Sequence, residues 1–492
     1  MAGGASLTGT AAGREESGRT RLRDVVTTPE READYLERGL WDATTLTSQL
    51  RAHASARPDA VAVVDPVEGR RVSFRELELD SRRVAGRLVE LGIEPGDVVA
   101  LQLPNRYASV AVAAGALRAG AVVNPMLPIY RAKELRHMLS VARTKVIVTP
   151  RVYRDFDHVA LVDQLKLELP DLRHQLVIGE GEDALERLLG GAAPLEEDRS
   201  LPAQAVCELM FTSGTEAEPK AIMHTERTLT ANARATWSAL GMTLEDAVWM
   251  PAPIGHSTGF NHGVRLAVYH GLKLVLQDRW DAPAGARLVR EEGCSHTLLS
   301  TTFLRDLTRA VAESRIDVSC LRLFGCGGAP IPAEAVIEAE RQGIGCLRLY
   351  GATEVLVATW NRPQTPREKR IETEGPPLEG VEIEVRDGEG RPLVGEPGEL
   401  YTRSPSGSAG FFADPSRTAA TFSPDGWVRS GDLGVIDADG YFSIAGRVKE
   451  IIIRGGMNIA PREVEELILT VPSVRAVAVS YTHLRAHETG RN

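Results

Sequence analysis

An α/β fold built from two doubly wound subdomains, joined to a small antiparallel β unit, is what the sequence predicts, on three observations. Helical periods alternate with short apolar strands from residue 45 to 149 and again from 284 to 349, the pattern of parallel sheets covered on both faces. Loops rich in glycine and hydroxyls follow directly on strands at 212–215, 325–330 and 350–354. In open α/β sheets that carboxyl edge is where ligands bind. From 381 to 443 the runs turn short and alternating and are split by Gly, Pro and Asp, which reads as an antiparallel barrel or sandwich.

Taken in order, residues 1–39 lack an apolar stretch and are expected to be a disordered lead. A helix over 45–56 and a strand over 60–64 follow. Ser73 and Glu76 form a capping box that opens a helix through Leu91, with Leu77, Val84, Leu88 and Leu91 on one face. Strands over 98–103, 121–124 and 145–149 alternate with helices over 108–119 and 132–141. An acidic linker over 180–204 precedes a strand over 205–211. After it come helices over 284–292, 303–314 and 333–342 and strands over 296–299, 321–324 and 346–349.

The chain has 492 residues, enough for more than one domain, and an ordinary globular balance of 43% apolar and 25% charged residues. A net charge of −10 gives no general affinity for nucleic acid or anionic membrane, and no apolar run reaches membrane-spanning length. Five scattered cysteines without metal-ligand spacing fit a reducing, cytoplasmic setting.

Thr212-Ser213-Gly214-Thr215, closed by Pro219-Lys220, offers backbone N–H groups, three hydroxyls and one ammonium to a common point, which is a polyphosphate cradle. No Gly precedes the Lys and no Ser/Thr follows it, so it is not a Walker loop; a polar hairpin turn is the competing reading. Gly325-Cys326-Gly327-Gly328-Ala329-Pro330 leaves bare backbone on which a flat ligand can lie, or is a plain strand-to-helix turn. Tyr350-Gly351-Ala352-Thr353-Glu354 offers an aromatic stacking face, a hydroxyl that can bond phosphate and a carboxylate that can hold magnesium; a packed Tyr and a solvated Glu is the competing reading of either residue alone. Ser430-Gly431-Asp432 places a carboxylate on a tight turn.

These stretches in this order resemble the AMP-forming, acid-activating enzymes: acyl- and aryl-CoA ligases, luciferases and non-ribosomal adenylation domains. The variant Thr215-Glu216-Ala217-Glu218-Pro219-Lys220 resembles the ligases of cyclohexanecarboxylate and aryl acids. The resemblance implies ATP and Mg²⁺ bound by Thr212, Ser213, Gly214, Thr215 and Lys220, adenine near Gly328, Ala329 and Pro330, and the rest of the nucleotide at Tyr350, Gly351, Thr353, Glu354, Asp432 and Arg447. It implies metal at Glu354 and Thr215. Lys220, Thr353, Glu354, His256 and the hinge residue Lys449 would carry catalysis. His256, Gly259, Phe260, Gly325, Cys326 and Val355 would line an acid pocket without fixed charge, for an uncharged acyl or aryl body. Arg454, Gly455 and Gly456 would line the thiol channel for CoA. The implied organisation is an adenylate-forming domain over 40–446, with 376–446 its β-rich part, then a hinge and a fragment of an α+β lid over 447–492.

The likeness fails at the end. Family lids carry a lysine in a Ser-Gly-Lys context that this sequence lacks, and the tail over 481–492 matches neither the family nor a clean period. The expectation is a truncated lid and weak adenylation by this chain. The expected function is ATP-dependent activation of a carboxylic acid with release of pyrophosphate, then transfer to CoA. The alternatives are a stand-alone adenylating enzyme that loads a carrier-protein thiol and a catalytically silent nucleotide-binding remnant.

Overall fold

A computed structural model describes residues 27–179, 184–212, 219–448, 452–454, 457–459 and 468. Among them, strands form an eight-stranded, a six-stranded and a five-stranded sheet and two small ribbons. The six-stranded sheet runs, in spatial order, Lys220–Thr225, Val206–Thr212, Val122–Pro125, Val98–Leu101, Val146–Pro150 and His174–Ile178. Its strands pair in parallel except for the hairpin of the first two. The eight-stranded sheet runs Leu356–Trp360, Cys346–Ala352, Leu323–Cys326, His296–Leu299, Ala247–Met250, Lys273–Leu276, Val61–Asp65 and Arg70–Ser73. The five-stranded sheet is antiparallel and spans Glu382–Arg386 to Phe442–Arg447. The predicted class, two wound α/β layers and an antiparallel unit, is the observed one.

Local chemistry accounts for the elements. The helix Phe74–Glu90 starts at the expected capping box, Ser73 Oγ accepting from Glu76 N and the Glu76 carboxylate from Ser73 N. It buries Leu77, Val84 and Leu88. The helix Tyr107–Arg118 is buried along its length, because only small residues such as Gly115 permit its approach: a Cβ there would lie 2.4 Å from Val84 Cβ. The strands Val98–Leu101 and Val146–Pro150 are buried throughout, as central parallel strands are.

Three expectations are corrected. The lead is not wholly irregular: Pro29–Glu37 is a helix capped by Thr28, and it buries Tyr35 against Trp41. The reading missed it because its one buried residue gives no period. The linker over 180–204 contains a helix, Ala184–Leu189. The runs at 427–429 and 434–437 are one strand, Val428–Ile436, continuous through Ser430-Gly431-Asp432.

Candidate active site

The hairpin at the edge of the six-stranded sheet sets the first side of the site. Thr212 pairs with Lys220 across it, so the chain leaves and re-enters the sheet at those two residues. Ser213, Gly214 and Thr215 lie outside the described residues. The period of two puts Lys220, Ile222 and His224 on one face. The His224 Nε2 is 2.8 Å from the Thr353 carbonyl oxygen; since a carbonyl only accepts, Nε2 carries the hydrogen. Burial pushes the imidazole down to about 4, so it is neutral. The other edge of the hairpin is extended by residues 409–412: Ala409 N donates to Met223 O at 2.8 Å and Phe412 N to Ala221 O at 2.8 Å. One residue earlier, Ser408 N donates to Glu354 O at 2.7 Å. The strand that begins with Lys220 and the turn that ends in Glu354 are thereby tied twice. Burial holds the Glu354 carboxyl above its ordinary value, against Lys220 and Arg447, which pull it down.

The second side is a relay across two sheets. Tyr350 Oη donates to Asp432 Oδ2 at 2.5 Å, and Arg447 Nε lies 3.0 Å from Asp432 Oδ1. Asp432 pairs with Arg447 in register on adjacent strands, which is why the carboxylate meets the guanidinium. Tyr350 corrects the sequence reading: its ring is 5% exposed and packs edge-on to Phe442 at 5.2 Å, so it is not an open stacking platform. Gly351 and Thr353 are half-buried beside it. The open surface nearby belongs to Gly328, Ala329 and Pro330, which are exposed, with Gly328 at φ +74°.

The third side is the segment from His256 to Arg265. His256 caps the short helix Ser257–Gly259, its Nδ1 accepting from Thr258 N at 3.2 Å, and its ring is exposed yet set among enough protein to lower its pKa. A Cβ on Gly259 would lie 2.2 Å from Pro253 O, so glycine alone permits this turn. Phe260 is buried and opens a π-helix, Phe260–Arg265, a form that recurs at functional sites. The segment lies over one face of the eight-stranded sheet. His262 there meets Trp360 edge-on at 6.5 Å, and His296 lies 6.0 Å from the same indole. Gly325 makes room for that indole: a Cβ would sit 2.4 Å from Trp360 Cζ2. Val355 is buried next to the antiparallel strand Leu356–Trp360. Cys326 is corrected. Strand alternation turns its thiol to the opposite face from Gly325, where Thr301 Oγ1 lies 3.8 Å away, so it does not line the Trp360 side.

Of the remaining candidates, Lys449, Gly455 and Gly456 lie outside the described residues. Arg454 ends a short strand paired with Met457–Ile459. Four residues of the site carried no role in the sequence reading: Glu208, His224, Asn261 and Trp360. For His224 the signal was present, since the alternation that places Lys220 places His224 on the same face. No group of three or more metal-ligating side chains occurs among the described residues. No helix among them is long and apolar enough to cross a membrane.

Comparison with known proteins bears on this arrangement. The family model described as AMP-binding enzyme matches residues 50–412. The medium-chain fatty-acid–CoA ligase of Escherichia coli (strain K12) is 34% identical over 456 residues, covering 92% of this chain and 80% of that protein. A salicylyl-CoA synthase / salicylate adenylyltransferase of a Streptomyces species is 32% identical over 467 residues, covering 92% and 84%. The crystal structure of ATP-bound MatB from Rhodopseudomonas palustris superposes with a TM-score of 0.80 at 26% identity, covering 89% of this chain and 86% of that one.

Proposed function

The chain belongs to the AMP-binding enzyme family, and we propose that Lys220, Glu354 and the Tyr350–Asp432–Arg447 relay are the machinery with which it activates a carboxylic acid. The enzyme is an AMP-forming acid–thiol ligase. A carboxylate oxygen of the acid attacks the α-phosphorus of ATP, and the bond to pyrophosphate breaks. The CoA thiol then attacks the acyl carbon of the adenylate, and AMP leaves with the electron pair.

The observation that carries the assignment of residues is convergence. Lys220, Glu354 and Asp432 come from three sheets, yet main-chain bonds through residues 408–412 and the Tyr350–Asp432 hydrogen bond draw them to one place. In this reading Lys220, with the loop that it closes at Thr212, Ser213, Gly214 and Thr215, neutralises charge growing on the phosphates. His224 fixes the Thr353 carbonyl, which leaves the Thr353 hydroxyl for phosphate. Both Asp432 oxygens are engaged, so ribose binds there by displacing Arg447, the exposed partner, which then turns to the ribose or phosphate. Adenine lies on Gly328, Ala329 and Pro330, beside Gly351. A half-buried carboxyl held above its ordinary value by lack of solvation fits Mg²⁺ at Glu354, with Thr215 as a second donor. The ion would neutralise phosphate charge, and few protein ligands are usual for it. His256 gates the acid at the mouth of a pocket formed by Gly259, Phe260, Gly325 and Val355, with Trp360 at its floor. Residues 40–446 form the adenylate-forming domain, and 447–492 supply the hinge at Lys449 and the thiol channel at Arg454, Gly455 and Gly456, in the cytoplasm.

A carrier-protein thiol is the second acceptor to consider, since the adenylate is open to attack by any thiol that reaches it. Incubation with acid, Mg-ATP and equal amounts of CoA and a phosphopantetheinylated carrier, read by mass spectrometry, separates the two. Acyl-CoA as the main product supports the ligase reading. Acyl-carrier with no acyl-CoA replaces CoA by a carrier.

A further inference from the structure

The strand that delivers Thr212 carries a fully buried carboxylate in its middle, Glu208, within an otherwise apolar run. It is not a stray charge. Asn261 Nδ2 donates to Glu208 Oε1 at 2.9 Å and to Ser257 Oγ at 3.2 Å. Asn261 belongs to the π-helix, and Ser257 directly follows His256. One side-chain amide, 7% exposed, therefore joins the strand leading into the phosphate loop to the segment at the acid pocket.

The chemistry around this bridge is one cation short. Arg265, in the same helix, lies 2.6 Å from Glu226, which also accepts from Leu46 N. Both side chains are 4% exposed. Glu208 is thus a second carboxyl near a guanidinium already paired. Burial pushes it up to about 7, against the pull of Arg265 and Asn261 and with a push from Glu226. Among the described residues Glu208 Oε2 and Asn261 Oδ1 are buried acceptors without a hydrogen-bond donor, and Arg265 Nη1 and Nη2 are buried without a hydrogen-bond acceptor. A proton on the carboxyl gives the bridge a donor of its own and removes the surplus charge of two carboxyls around one guanidinium.

We propose that Glu208 is a positioning residue for the acid: through Asn261 it fixes the Ser257 end of the His256 segment against the strand that ends at Thr212. The acid pocket and the α-phosphorus are then held in one frame. Sub-ångström placement of two reactants is worth orders of magnitude in rate, and a buried bridge between the two walls is a direct way to keep it. The inference rests on the acid-activating reading of the site. Glu208 touches neither substrate, so its effect is carried entirely by Asn261 and Ser257.

The test measures pyrophosphate release with the KM for acid and the KM for ATP taken separately. In E208A and N261A the acid KM should rise about tenfold while the ATP KM stays within about twofold. The double variant should be no worse than either single one, since both remove the same bridge. E208Q keeps the shape and the neutral charge and should restore the acid KM to within about threefold. S257A removes only the far end, away from the buried charges, and should raise the acid KM without lowering Tm; it carries the test if E208A does not fold. Equal rises in both KM values, additive losses in the double variant, or an unchanged acid KM in S257A would overturn the proposal. Amide exchange over 256–261 reads the bridge without turnover: faster exchange in E208A than in wild type and E208Q supports it, and identical exchange in all three refutes it. Absence of acid-dependent pyrophosphate release in the wild type would sink the function instead, and the exchange measurement would still judge the bridge.

Discussion

The nucleotide side and the acid side of this site are built on opposite plans. On the nucleotide side, polar groups meet across separate elements through named hydrogen bonds: Tyr350 to Asp432, Asp432 to Arg447, His224 to Thr353. On the acid side, Gly259, Gly325, Phe260 and Trp360 shape space by size, and the histidines there are neutral, His262 pushed down to about 3 and His296 to about 4 by burial. In the site proposed above, ATP is held by directed hydrogen bonds and charge, whereas the acid is chosen by volume. Changes on the two sides should therefore fail in different ways.

The largest effect belongs to the cation. Lys220→Ala should lower acid-dependent pyrophosphate release about 10²–10³-fold, as loss of a preorganised charge-stabilising group does. Because Lys220 is half-buried at a strand end, thermal stability should hold. A variant with wild-type turnover would break the comparison at its strongest point.

Glu208 sits between the two sides and should report on stability. Its carboxyl is at about 7 in the folded chain against 4.5 for the free group, so the folded state holds the proton more tightly. That contribution is complete below 4.5 and is lost as pH rises through 7, roughly 3 kcal/mol in total. The buried histidines work the other way: His224 and His296, both near 4, and His262, near 3, favour the fold above 6.5 and disfavour it as pH falls. The Tm of E208Q minus that of wild type isolates the carboxyl and should grow from pH 5 to pH 8. A flat difference would show that Glu208 is ionised throughout.

Asp432→Ala should raise the KM for ATP about tenfold, the loss of about 1.4 kcal/mol of binding, with the ranking of acids unchanged. A changed ranking would mean that the two sides are not separable. Gly325→Ala should do the reverse. Its Cβ would press on Trp360 at 2.4 Å, and overpacking of this kind costs about 1–3 kcal/mol. Preference should shift several-fold toward smaller acids at constant ATP KM, measured as kcat/KM across an acid series.

The same contrast explains what could be read from the sequence. The strand–helix alternation and the capping box at Ser73 are local, so the wound sheets and the helix Phe74–Glu90 were legible. The motif residues proposed for the nucleotide side were picked out by their spacing, and the structure draws Lys220, Glu354 and Asp432 toward one place. What the sequence concealed is long-range. Nothing local shows that Val61–Asp65 joins the sheet of Lys273–Leu276, or that residues 408–412 stitch Lys220 to Glu354. Cys326 was misplaced for want of a register, since a neighbour of Gly325 on a strand faces the other way. Tyr350 looked like a platform until Phe442, far along the chain, was seen to cover it. Trp360 and Asn261 matter only through partners on other elements, Gly325 and Glu208.

The central claim is that this chain couples a carboxylic acid to the α-phosphorus of ATP. Its most direct test is pyrophosphate release from Mg-ATP across aromatic, alicyclic and medium-chain acids, on the chain as it stands and with a family C-terminal lid grafted after Arg447. Release that depends on one class of acid and vanishes in Lys220→Ala is the predicted result. ATP bound by both forms with no release from either, whatever the acid, would contradict the account and leave a nucleotide-binding protein in its place.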